Sequence, residues 1–255
     1  MNLKQRLKNR ELTIGSWITI GSPVVGEIMA NAGFDWLVVD MEHSAITLDL
    51  AQDLIRVIEL SGVSPLVRVG HNQPSLIKRI MDTGSHGVIV PMVNSRTEAE
   101  QAVSSVKYPP IGFRGVGLAR AQKYGEDFES YRLWNQENSL VIVQVEHIKA
   151  VENLKDILSV PGVDGFIVGP YDLSGSMGVP GQFDHPNVLE ALQQIKVISS
   201  EMQALSGYHV IQPDISAFKE KENEGFRFIA FSLDIIYLGQ SCREVLKTMK
   251  LGSAK

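Results

Sequence analysis

With 255 residues, 44% of them hydrophobic and 21% charged, the chain is close to the roughly 250 residues that one α/β barrel needs, and its apolar content excludes a disordered polypeptide. The net charge of −5 is spread without basic clusters, which excludes an electrostatic footprint for nucleic acid or for an anionic membrane surface. The single cysteine, Cys242, excludes an internal disulfide or a multi-thiolate metal site. The basic N-terminus lacks a signal-peptide core and no run reaches ~18 apolar residues, so the expectation is a cytoplasmic protein acting on small molecules.

In chain order, TIGSWITI (13–20) and WLVVDME (36–42) read as strands, because β-branched and aromatic residues dominate them. Thr47 then marks the start of an amphipathic helix over Leu48–Leu60. SPLVRV (64–69) is the third strand, and Asn72 precedes a helix over 73–82. GVIVPMV (87–93) is the fourth, with Ser95 ahead of a helix over Arg96–Val106. Residues 107–139 are polar and aromatic, and an interruption of that length is expected to be a functional loop or lid. LVIVQVE (140–146), a helix over 150–158, GFIVGPYD (165–172), a helix over 187–203, YHVIQ (208–212) and FRFIAFSLD (226–234) complete the pattern. Eight strands alternating with helices predict one (β/α)₈ TIM barrel over 1–255, with no linker dividing it.

Barrel chemistry sits at the carboxyl ends of the strands. The residues there are Asp40, Glu42 and His43; Arg68; Pro91, Met92 and Asn94; Gln144, Glu146 and His147; and Gly169, Pro170, Tyr171 and Asp172. Glu146 and Asp172 end adjacent strands, and two carboxylates with open positions between them suit a hard cation such as Mg²⁺ or Mn²⁺. Either carboxylate alone reads as readily as a solvated strand end or a helix cap; it is their convergence with Arg68 and His43 that points to a site. His43 is a candidate general base, whereas His71, His86, His147, His185 and His209 have no comparable setting and read as structural. Arg68 ends an apolar strand and needs an anion, such as a carboxylate or an enolate, to satisfy its fixed charge. The glycine-rich turn at Gly169 and Gly175, followed by a helix start, presents backbone N–H groups to an anion. No lysine lies inside a strand, which argues against a Schiff base.

The motifs VVDMEHSAI (38–46), PLVRVG (65–70), IMDTGSHGVIVPMV (80–93), YPPIGFRGVGLARAQKYG (108–125), VQVEH (143–147) and GPYDLSGSMG (169–178) together resemble the HpcH/HpaI family of class II pyruvate aldolases. The pattern is closest to its 4-hydroxy-2-oxoheptanedioate and 2-dehydro-3-deoxyglucarate aldolases. The resemblance implies a barrel of the phosphoenolpyruvate/pyruvate type and a divalent cofactor, Mg²⁺, Mn²⁺ or Co²⁺, held by Glu146 and Asp172. It implies His43 as proton acceptor, helped by Asp40 and by Asp82, the latter from a neighbouring subunit, and Arg68 as transition-state stabiliser. Gln144, Gly169, Pro170, Tyr171 and Ser174 would touch the 2-oxo acid, and Arg120 would orient the aldehyde. It further implies a homo-oligomer, a hexamer built as a trimer of dimers that exchange the last helix, here 240–250. The chain departs from the family pattern in the acceptor loop, where GLARA follows Gly115 and Val116 without the usual GSA spacing. It departs again at the unusual Tyr208-His209 pair. Both departures leave the pyruvate half intact and the aldehyde open. The alternatives are a malyl-CoA or citryl-CoA type thioester lyase, which would need a basic groove for the CoA phosphates, and a non-catalytic 2-oxo acid binding barrel, which would lack the base or the metal carboxylates.

Overall fold

The computed structural model describes the chain through residue 252 and its side chains through residue 250. Its strands are β1 Thr13–Ile18, β2 Trp36–Asp40, β3 Ser64–Arg68, β4 Gly87–Val90, β5 Leu140–Val145, β6 Gly165–Val168, β7 Ser206–Val210 and β8 Phe228–Leu233. They pair in sequence order, all parallel, and β8 returns to β1, so the sheet closes into an eight-stranded barrel. The helices are α1 Leu3–Lys8, α2 Pro23–Ala30, α3 Leu48–Leu60, α4 Pro74–Asp82, α5 Arg96–Val106, α6 Phe128–Asn138, α7 Ile148–Glu152, α8 Leu154–Leu158, α9 Pro170–Ser176, α10 Pro186–Glu201, α11 Ile215–Asn223 and α12 Asp234–Gly252. The predicted (β/α)₈ barrel is the observed fold. Among the described residues no helix is long and apolar enough to cross a membrane.

Strand residues facing the helices and those facing the barrel axis alternate with period two, and the two sets form separate apolar clusters. The inner cluster includes Trp36, Val38, Leu66, Ile89, Ile142, Ile167, Phe228 and Ala230. Trp36 stacks on Phe228 with centroids 3.9 Å apart and donates its indole N–H to Thr13 Oγ1 at 3.1 Å. The indole occupies the space over Gly15, where an added Cβ would lie 2.1 Å from the ring. Below it, α1 plugs the amino end of the barrel: Leu3 and Leu7 join the inner cluster, and Lys4 pairs with Asp164 at 2.8 Å. The basic N-terminus is therefore a structural stopper. At the other end, the buried Asp234 carboxylate accepts from the Thr19 and Ile20 N–H groups, both at 2.8 Å, and fastens the end of β1 to the start of α12.

Two expectations are corrected. Residues 107–139 do not form a lid over the carboxyl ends of the strands. They contain a short 3₁₀ turn, Arg120–Gly125, and α6, which ends immediately before β5 begins and so lies towards the amino face of the barrel. Lys107 fixes this arrangement, donating to Asn135 O at 2.7 Å and Gln136 O at 3.1 Å and so satisfying carbonyls at the end of α6. The polar pattern of α6, with few buried residues, is why it did not read as a helix. The stretch 165–172 is also not one strand: β6 stops at Val168, and Pro170, with no N–H to donate, opens α9.

Gly15→Ala is expected to cost about 2 kcal/mol by overpacking against Trp36, lowering the thermal midpoint by roughly 4–8 °C. Calorimetry checks this, and an unchanged midpoint would show that the indole can move aside.

Candidate active site

Along β2, β3 and β5 the inward positions change from apolar to charged or polar over the last two residues: Val38 gives way to Asp40, Leu66 to Arg68, and Ile142 to Gln144 and then Glu146. The same alternation that builds the core therefore aims these groups into the mouth of the barrel. Arg68 makes a two-pronged pair with Asp40, Nε to Oδ1 at 2.9 Å and Nη2 to Oδ2 at 2.7 Å. Its Nη1 lies 3.3 Å from Glu42 Oε2, and its guanidinium lies 4.4 Å from the centroid of Trp17. Burial works to raise the Asp40 carboxyl, but the bidentate guanidinium outweighs it and holds Asp40 below the usual carboxylate range. Asp40 Oδ1 also accepts from the backbone N–H groups of Glu42 and His43, at 3.0 and 3.3 Å, and so shapes the turn that carries both.

His43 is mostly exposed, with Nε2 3.8 Å from Glu42 Oε2. Glu42 thus stands between the arginine and the candidate base, and burial, with Asp40 and Asp172 nearby, pushes its carboxyl up. Its position directly after an apolar strand was legible, but nothing in the sequence showed what it would face.

Glu146 is buried, and one carboxylate oxygen accepts from the Met92 N–H at 2.7 Å. Met92 takes a left-handed backbone, φ 53°, to aim that N–H, a strained conformation of the kind kept at functional sites. The Gln144 amide donates to the other oxygen. Burial, reinforced by the negative charges of Glu42 and Asp172, pushes Glu146 up to about 7. Asp172 lies in the first turn of α9, one element later than expected. Gly169 clears the space over Glu146: a Cβ there would meet Gln144 Nε2 at 3.0 Å and Glu146 Oε2 at 3.2 Å. The buried Glu146 carboxylate, the cleared space over it and the exposed Asp172 carboxylate bring together oxygen donors and excess negative charge that fit a hard divalent cation. Among the described residues no group of three or more His, Cys, Asp or Glu is arranged to hold a metal ion.

Beside these groups is a cavity of about 250 Å³ lined by Trp17, Arg68, Gln144, Gly169, Pro170, Tyr171 and Asp172, with His209, Ile211, Leu233 and Ile236. Six expected site residues do not line it: Asp40 and Glu146 touch its lining through Arg68 and Gln144, His43 stands beyond Glu42, and the other three are placed elsewhere. Ser174 is fully buried and its hydroxyl is engaged within the protein, donating to Tyr171 O at 2.8 Å and accepting from Gly181 N at 3.0 Å. Asp82, at the carboxyl end of α4, pairs with the buried Arg114 at 2.6 Å. Arg120 donates to Thr83 O at 2.9 Å and pairs with Glu59. Helix ends that precede strands lie on the amino face, so within one chain Asp82 and Arg120 are across the barrel from His43. Conversely His209, read as structural, lines the cavity. His147 and His185 do take structural places, as N-caps of α7 and α10.

Comparison with known proteins shows the family. The family model described as HpcH/HpaI aldolase/citrate lyase matches residues 13–239. A 2-keto-3-deoxy-L-rhamnonate aldolase of Escherichia coli is 33% identical over 252 residues, covering 98% of this chain and 93% of the relative. A hydroxypyruvate/pyruvate aldolase of Roseobacter denitrificans is 34% identical, covering 98% and 97%. The crystal structure of a family protein from Burkholderia cenocepacia superposes with a TM-score of 0.92 at 32% identity, covering 97% of this chain and 98% of that one. The chain belongs to the HpcH/HpaI aldolase/citrate lyase family.

Proposed function

We propose that this protein is a divalent-metal-dependent class II aldolase that reversibly cleaves a 4-hydroxy-2-oxo acid to pyruvate and an aldehyde. The observation that carries the reading is the charge balance at the barrel mouth: among the described residues Arg68 pairs with Asp40 and Glu42, while the negative charges of Glu42 and Asp172 bear on Glu146, which has no ionic contact with the guanidinium. Glu146 and Asp172 would hold Mg²⁺, Mn²⁺ or Co²⁺, which when bound supplies Lewis-acid stabilisation to the 2-oxo acid. Arg68, fixed by Asp40 and Trp17, presents a preorganised charge to the oxygen on which negative charge develops. Gln144 and the N–H groups at Tyr171 and Asp172, unpaired in the first turn of α9, orient the carboxylate. In cleavage His43 takes the proton of the 4-hydroxyl, the C3–C4 electron pair passes to the pyruvate unit as its enolate, and the aldehyde leaves. Addition runs the same steps backwards. Among the described residues Arg68 is the only Lys or Arg lining the cavity, which disfavours a CoA thioester with its several phosphates.

A homo-oligomer completes this reading. Asp82 and Arg120 can serve a site only in another subunit. The last helix, α12, exposes Ile235, Leu238, Val245, Leu246 and Met249, an apolar surface suited to the exchanged helix of a dimer within a hexamer.

Chelation is expected to abolish activity and Mg²⁺, Mn²⁺ or Co²⁺ to restore it, while Glu146→Gln and Asp172→Asn lose Mn²⁺ binding in a direct titration. Full activity without metal would reject the assignment. Glu146 lies at about 7, so below that pH the ion must displace a proton. Mn²⁺ affinity should therefore rise with pH up to about 7, by at most ~10-fold per unit, and flatten beyond.

Arg68→Ala is expected to slow deuterium exchange at the pyruvate methyl group by ~10²–10³-fold per folded enzyme, with Arg68→Lys recovering only part because the planar fork is lost. Wild-type exchange in Arg68→Ala would remove the role. For His43→Ala, kcat for cleavage should fall by roughly 10²–10⁴ while Mn²⁺ still binds; cleavage at the wild-type rate would transfer the base to another group.

A further inference from the structure

The cavity lining divides by chemistry. Arg68, Gln144 and Asp172 are polar and serve the 2-oxo acid on the reading above. Trp17, Ile211, Leu233 and Ile236 are apolar, and His209 is the polar side chain placed with them. Its ring lies 5.3 Å from that of Trp17.

Several contacts hold this imidazole in one orientation. Its Nε2 lies 3.3 Å from Ser232 O. A carbonyl only accepts, so Nε2 carries the proton and Nδ1 is left with its lone pair. Ser232 sits in the left-handed region, φ 55°, and the same carbonyl accepts the Ser16 hydroxyl at 3.1 Å. That backbone is strained and persists only because its surroundings fix it. Opposite it, the β1–β8 register shifts between Gly15 and Trp17, which brings Trp17 beside the ring. Burial pushes the imidazolium down to about 3, so the ring is neutral at working pH. Among the described residues Nδ1 has no hydrogen-bond partner, yet it is not among the atoms sealed from solvent.

A free acceptor in an apolar wall costs free energy unless a donor reaches it. A carboxylate cannot donate, and an ammonium would be repelled by Arg68, whose charge reaches this ring. A neutral donor remains: water in the open cavity, or a substrate hydroxyl that displaces it. We propose that His209 is a specificity-determining residue whose Nδ1 accepts a hydrogen bond from a substrate hydroxyl, carried either by the aldehyde beside its carbonyl or by the 2-oxo acid at C3. The inference rests on the aldolase reading above and deepens it.

The metal-loaded wild type is assayed on two matched pairs: propanal against 2-hydroxypropanal with pyruvate, and pyruvate against hydroxypyruvate with propanal. One pair is expected to show a preference in kcat/KM for the hydroxylated member, and that pair identifies which substrate carries the group. His209→Leu should lose about tenfold of this preference, chiefly through KM. His209→Asn, whose amide oxygen can take the place of Nδ1, should recover part of it. No wild-type preference in either pair, or an unchanged ratio in folded His209→Leu, would overturn the proposal, and the wild-type ratio decides even if neither variant folds. Metal-dependent exchange of the pyruvate methyl protons in the wild type separates the two readings. Its absence would overturn the aldolase assignment and this proposal together; its presence with an unchanged ratio would overturn the role of His209 alone.

Discussion

The Arg68 guanidinium, paired with two of the carboxylates gathered at the mouth of this barrel, sets the physical terms there. Asp40 takes the guanidinium in a bidentate pair and stays ionised, while Glu42 has only a 3.3 Å ionic contact with it and Glu146 has none. Buried charge without compensation is expensive, and the protein meets that cost in two ways. Backbone and amide donors turn toward Glu146, Met92 through a strained φ and Gln144 through its side chain. What donors do not offset remains as a carboxyl raised to about 7. On the proposed reading, a site in that state exchanges a proton for a cation.

The barrel below supplies the rigidity this needs. Inside-outside alternation along the strands places apolar side chains at mid-depth and polar groups one step above them, so Asp40, Arg68 and Gln144 rest on a packed layer. Gly15 gives its space to Trp36, Gly169 gives its space to Glu146, and Asp234 pins β1 where the ring of strands closes. Small residues and buried acids at these points do for geometry what bulk does in the core.

The two faces of the barrel carry different demands. The carboxyl face holds the charges just described. The amino face holds Asp82 with Arg114 and Arg120 with Glu59, neighboured by exposed apolar residues such as Phe113, Val116 and Leu118. On the proposed reading this face is a donor of residues to another subunit, which explains why ion pairs so far from His43 sit in motifs shared with the family.

The sequence by itself determined the fold class, because eight short apolar, β-branched runs alternating with helical segments predict a closed parallel barrel. It also showed which apolar runs end in charged residues, since Asp40, Arg68, Glu146 and the turn at Asp172 each interrupt one. Local pattern was blind to α6, whose polar face is held by the distant Lys107, and to the role of Ser174, whose bonds form within its own turn. It was blind above all to His209: one imidazole in a strand looks the same whether it fills a core or faces a substrate. That distinction depends on which way the strand turns its side chains once the barrel closes, and on Ser232 and Trp17, which reach the ring from β8 and β1. Contacts between residues separated by as much as the length of the chain are set only when the first strand meets the last, and tertiary closure alone decided them.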